Sequence, residues 1–125
     1  MGTFVISKRY NGDYKFVFTS RKGKIIFTSI ACKHKSDCES MISAIKKNMT
    51  FFAFTKVRKA SNKHFFRLSK DGLVLANSRK YSTELMLQKG IDEIINYAHK
   101  AEILDFSEND FAFTEDSAFF EEGIQ

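Results

Sequence analysis

Cys32, His34, Asp37 and Cys38 fall within the seven residues Cys32-Lys33-His34-Lys35-Ser36-Asp37-Cys38, which makes this the densest cluster of potential ligands and nucleophiles in the chain. A structural zinc site favours cysteines separated by two to four intervening residues and needs a second ligand pair elsewhere. The only other histidines are His64 and His99, and there is no third cysteine. The two thiols are therefore expected to be packing residues, with a metal or a redox pair as the weaker alternatives. A Cys–His nucleophile would need a third group to orient the base, and none stands nearby. Gly-x-Ser-x-Gly, the P-loop and His-Glu-x-x-His are all missing. Gly23 and Gly72 close hairpin turns with no helix after them, so they are not phosphate cradles. The expectation is a chain that is not an enzyme, with no cofactor, no metal and no small-molecule substrate.

Charge is the stronger signal. Residues 1–60 carry 13 Lys and Arg against three acids, residues 61–107 carry seven against six, and residues 108–125 carry six acids and no base. The formal net charge of +5 conceals this dipolar distribution. Many of the cations in the first half alternate with Phe16, Phe18, Phe27 and Phe54, so a strand can bury one face and present Lys or Arg on the other. Such a face suits phosphate backbones through counterion release, with little reading of sequence. The residues expected to touch a polyanion are Lys15, Arg21, Lys22, Lys24, Arg58 and Lys59. Phe65 and Arg67, opposite Phe66, are expected to add a surface for stacking bases. The competing reading is a solvated face whose lysines keep sheet edges from pairing.

These residues must be positioned by elements, and the elements recur. Tyr14, Phe16 and Phe18 alternate onto one face, as do His64, Phe66 and Leu68, 50 residues later. Each strand leads into a turn closed by glycine, Ser20-Arg21-Lys22-Gly23 and Ser69-Lys70-Asp71-Gly72. A second apolar strand then ends in Ser29 or Ser78, now offset by 49 residues. The period next changes to that of a helix. Cys38, Met41, Ile42, Ile45 and Met49 form one stripe; Leu87, Gly90, Ile91, Ile94 and Ala98 form the other. Ser36-Asp37-Cys38-Glu39 is expected to be a capping box for the first helix, and Ser82-Thr83-Glu84 to start the second. Residues 2–8 read as a strand turning at Asn11-Gly12, residues 51–57 as a strand turning at Ser61-Asn62, and residues 101–106 as a short last strand.

The expected fold is α+β: two tandem β-β-β-α-β repeats, about 1–58 and 59–107, forming a mostly antiparallel sheet with two helices packed on one face. The pattern resembles the YegP-like proteins, a family of one- or two-copy β-β-β-α-β domains. The second half keeps the family's Gly72, Ser78, Tyr81, Gly90 and Ile91, with Leu87 in place of Cys. The first half keeps Gly23, Ser29, Cys38 and Ile42, with Cys32 in place of Tyr and Met41 in place of Gly. The resemblance covers about residues 2–107. It implies that the C-terminal strand of each copy crosses to the sheet of the other, and it implies no activity, since the family has no established biochemical role.

Composition bounds the remainder. At 125 residues, with 43% apolar and 28% charged residues, the chain suits one globular domain followed by an acidic tail. Fourteen phenylalanines and no tryptophan or proline point to strands around a Phe-rich core. No apolar run approaches a membrane span and residues 1–4 do not resemble a secretory signal, so no membrane is expected and the cytoplasm is the expected compartment. Residues 108–125 place Phe111, Phe113, Phe119 and Phe120 among their acids. They are read as a tail that gates the basic face. The expected role is a binding module that uses its sheet surface or edges, for a protein partner or for self-association as a dimer. Non-specific nucleic-acid or polyanion binding by the basic first repeat is the alternative.

Overall fold

The computed structural model describes residues 2–107. The expectations for the 108–125 tail lie outside the described residues. Alternating residues and their turns give β1 (Thr3–Lys8), β2 (Tyr14–Thr19) and β3 (Ile25–Ser29), followed by α1 (Lys35–Lys47). The second half gives β4 (Ala53–Arg58), β5 (His64–Lys70), β6 (Leu73–Ser78), α2 (Glu84–Tyr97) and β7 (Glu102–Asp105). The strands form one seven-stranded sheet in the order β4-β5-β6-β3-β2-β1-β7. Every neighbouring pair is antiparallel except β1 and β7, which run parallel. The molecule is thus α+β with a mostly antiparallel sheet and two helices.

Turn chemistry sets the hairpins. Gly12 sits at φ +97°, a conformation that carries a steric cost for any side chain. At the matching place in the second half Asn62 adopts φ +62°, which an asparagine tolerates through local hydrogen bonding.

Both helices bury their apolar stripes in a single cluster with one face of the sheet. Cys38, Ile42 and Ile45 of α1 and Leu87, Ile91 and Ile94 of α2 meet Phe4, Phe16, Phe18, Phe27, Phe66 and Leu68 there. The phenylalanines pack ring to ring, with centroids 4.9 Å apart for Phe4–Phe18 and 5.7 Å for Phe18–Phe27. Distances of this order add to the gain from burial alone. Gly90 lets α2 approach Tyr81 closely, since a Cβ there would lie 2.4 Å from the tyrosine hydroxyl.

Two local expectations are corrected. The first helix starts at Lys35 with His34 as its N-cap and no side-chain cap bond, so Ser36 to Glu39 form no capping box. Ser36 is already helical, whereas a capping serine needs an extended backbone to reach forward. Residues Met49–Phe51 form a single 3₁₀ turn, and the strand begins only at Ala53. Phe51 is consequently exposed while Phe52 is buried. In α2 the expected start holds: the Thr83 hydroxyl accepts from the Met86 N–H at 3.1 Å.

One set of contacts occurs in both halves. Ser29 Oγ accepts from the Phe16 N–H and donates to the Ile30 carbonyl, both at 2.9 Å. Ser78 Oγ accepts from the Phe66 N–H and donates to the Arg79 carbonyl. Tyr14 exchanges two backbone hydrogen bonds with Cys32, and His64 does the same with Tyr81. The halves meet where β3 pairs with β6, Thr28 standing opposite Asn77.

A candidate polyanion cleft on the open sheet face

The face turned away from the helices is set by strand alternation. Reading the register across the sheet gives one row of neighbours: Leu104, Val5, Val17, Thr28, Asn77, Arg67 and Thr55. The row is apolar on β7, β1 and β2, and polar from β3 to β4. Over the polar side and the β3–β6 seam lies a cleft of about 660 Å³. Its walls carry Lys15, Lys24, Lys59, Arg67, Arg79 and Lys80, and its lining includes Thr28, Ser29, Asn77, Ser78 and Phe65 but no acidic residue. Lys15 and Lys24 come from the first half and Arg67, Arg79 and Lys80 from the second, so the site is built by both.

Three of the six expected contact residues, Lys15, Lys24 and Lys59, meet in this cleft. Arg21 and Lys22 do not join them. They line a second groove on the helix side with Met86, Lys89 and Tyr97, and only Lys24 and Arg79 border both. Arg58 lies in neither groove and donates to Asn62 Oδ1 at 2.6 Å. Arg79 and Lys80 were not among the expected contacts; their position directly after Ser78, level with Ile30 and Ala31 of the basic half, was the available signal.

Phe65 does sit opposite Phe66, in the cleft, but its ring is not open to a base. It is 7% exposed, with Lys59 Nζ 5.6 Å and the Arg67 guanidinium carbon 5.4 Å from its centroid. Those separations are cation–π contacts. Arg79 likewise lies 5.4 Å from the Tyr81 ring centroid. Aromatic rings therefore contact three of the six cations, Lys59 and Arg67 through Phe65 and Arg79 through Tyr81.

The Cys32–Cys38 segment shows the opposite character. Both thiols are free and buried in the core, while His34 is exposed at the head of α1. Burial pushes the Cys38 thiol far above its ordinary value, and the adjacent Cys32 sulfur adds to the shift. Burial also raises Cys32, partly opposed by its contact with Cys38. Neither sulfur is a thiolate at neutral pH, which is the form that attacks or ligates. Among the described residues no three metal-ligating side chains gather, and no helix is long and apolar enough to cross a membrane.

No family model matches the chain. A UPF0339 protein of Acinetobacter baylyi is 30% identical over 108 residues, covering 85% of this chain and 97% of the relative. The chain belongs to the UPF0339 family. A second UPF0339 protein, from the 5′ region of the ptx operon of Stutzerimonas stutzeri, is 28% identical over 106 residues, covering 83% of this chain and 96% of that one. Two solution structures share the fold. A UPF0339 protein from Shewanella oneidensis superposes with a TM-score of 0.78 at 23% identity, covering 86% of this chain and 93% of its own. YegP from E. coli, a protein of unknown function, gives 0.77 at 21% identity, with coverage of 86% and 95%. The YegP-like resemblance read from the sequence is thereby shown, and this UPF0339 chain joins a family whose function is not established.

Proposed function

We propose that this UPF0339 chain is a non-enzymatic binding module that holds polyanions in the cationic cleft of its open sheet face. The observation that carries the reading is the convergence of six cations on a lining with no acid. Lys24, Lys59, Arg67, Arg79 and Lys80 make no ion pair with any described residue, so their charge is available to a ligand. Cations focused in a cleft raise the local concentration of anions and their rate of encounter. We read the chain as two copies of one β-β-β-α-β unit that share β4 as their middle strand, with β7 crossing to β1 as the exchanged strand. The twin serine contacts and the parallel β1–β7 pair support that reading, and it places the cleft on the seam between copies.

The sheet edges support a protein partner less well. β4 carries Lys56 and Arg58, and β7 carries Glu102 and Asp105, charges that discourage a strand from adding there. Residues 108–125, with six acids and no base, act in this reading as a tethered competitor for the cleft.

Fluorescence anisotropy with a labelled oligonucleotide, titrated from low to physiological salt, tests the proposal. Binding should persist at physiological salt, with a log–log slope of about −3.5 to −4.2 for a single strand if five or six phosphates are neutralised. Lys24→Glu with Lys80→Glu should weaken it at least about tenfold. Replacing the six tail acids by their amides should strengthen it at low salt. Absence of binding by either protein would reduce the cations to a solvated surface.

A further inference from the structure

Resting on that reading, we infer that the polyanion is single-stranded nucleic acid, with a base stacked on the Arg67 guanidinium and phosphates held by the flanking lysines. Arg67 is exposed on β5, with its guanidinium carbon 5.4 Å from the centroid of the buried Phe65 ring. An exposed planar guanidinium is a stacking surface for a base, which an ammonium is not. Of the pair Phe65 and Arg67 expected from the sequence to stack bases, Arg67 alone is left to do so.

The floor beside it suits a base edge. Thr28 and Asn77 face each other across the seam, and neither side chain has a hydrogen-bond partner among the described residues. An asparagine amide both donates and accepts, so it can meet any base without selecting one. Ser29 and Ser78 are different, since their hydroxyls are committed to the sheet.

Dimensions agree. Lys15 on β2 and Arg67 on β5 lie three strand spacings apart, about 14 Å. The cleft volume of about 660 Å³ falls within the range of small-molecule sites and matches one or two nucleotides better than an extended duplex. Neither helix contributes to the lining, so no helix is available to enter a major groove and read a duplex.

The test compares, on the full chain at physiological salt, a labelled oligothymidylate of about 12 nucleotides with an abasic strand carrying the same number of phosphates. Oligothymidylate should bind about tenfold more tightly than the abasic strand. Arg67→Lys, which keeps the charge and loses the plane, should erase that difference and leave the salt slope unchanged. Equal affinity of the wild-type protein for both strands would overturn the single-strand assignment while leaving a polyanion cleft. Failure of both strands to bind would overturn the cleft itself. The wild-type comparison is decisive without the variant.

Discussion

Ser29 uses its hydroxyl twice, accepting from the Phe16 N–H and donating to the Ile30 carbonyl. Ser29 is buried, so Ser29→Ala takes from the Phe16 N–H its side-chain partner at a site largely shielded from solvent. The expected loss is about 1–3 kcal/mol, measured by urea unfolding with an unchanged m-value. A loss near zero would mean that water or a backbone shift satisfies Phe16. The matching hydroxyl of Ser78 accepts from the Phe66 N–H and donates to the Arg79 carbonyl. The serines were visible in sequence only as a match between halves, because no rule of composition tells a structural hydroxyl from a solvated one. Phe65 shows the same limit: alternation placed it on the open face, but the cations that cover it approach from β5 itself and from the turn before it.

At the scale of elements, the helices differ in how they begin. Thr83 caps α2, and His34 leaves α1 without a side-chain cap. Thr83→Ala should therefore lower stability by about 1 kcal/mol, whereas His34→Asp should raise it by about 0.5–1 kcal/mol through a new cap and a favourable charge at the helix N-terminus. Opposite shifts in Tm would be the signature. The capping box was misread because Ser-x-x-Glu also occurs inside a first turn. Its register is decided by where Cys38 must point to reach the core.

The last strand is held by charge as well as by its ladder. Burial opposes ionisation of Asp105, but hydrogen bonds from the Ser107 hydroxyl and N–H and from Lys35 Nζ outweigh it and hold the carboxyl below its ordinary value. A depressed folded-state value stabilises at pH above the unfolded value, near 3.9, and that contribution is lost as pH falls through the folded value. Below about pH 4 β7 should loosen from β1 first, seen as faster amide exchange at Phe106, whose N–H bonds the Ile6 carbonyl. Asp105→Asn should show reduced protection already at neutral pH and lose the acid dependence. An identical acid profile in the variant would assign β7 to backbone pairing alone.

For the whole molecule, the α+β architecture was legible because alternating strands, turn glycines and two helical stripes mark out the elements in order. The cleft was legible only in part. Counting charge along the chain made the first half basic and the second nearly neutral, since Glu84, Asp92 and Glu93 offset Arg67, Arg79 and Lys80. Folding separates most of these groups: the acids ride on α2, Arg67 and Lys80 border the open face, and Arg79 alone of the three cations also borders the helix-side groove that Glu93 lines. A linear sum averages over two faces that the sheet keeps apart. Thus Arg79 and Lys80 entered the site while Arg21, Lys22 and Arg58 left it.

The most direct test of the central claim is a map of backbone amide shift changes when a short single-stranded oligonucleotide is added to the full chain at physiological salt. The account predicts changes concentrated at Lys15, Lys24, Thr28, Arg67, Asn77 and Lys80, with α1, α2 and the β4 edge quiet. Changes centred on the β4 or β7 edge or on α2, or none at all, would contradict it.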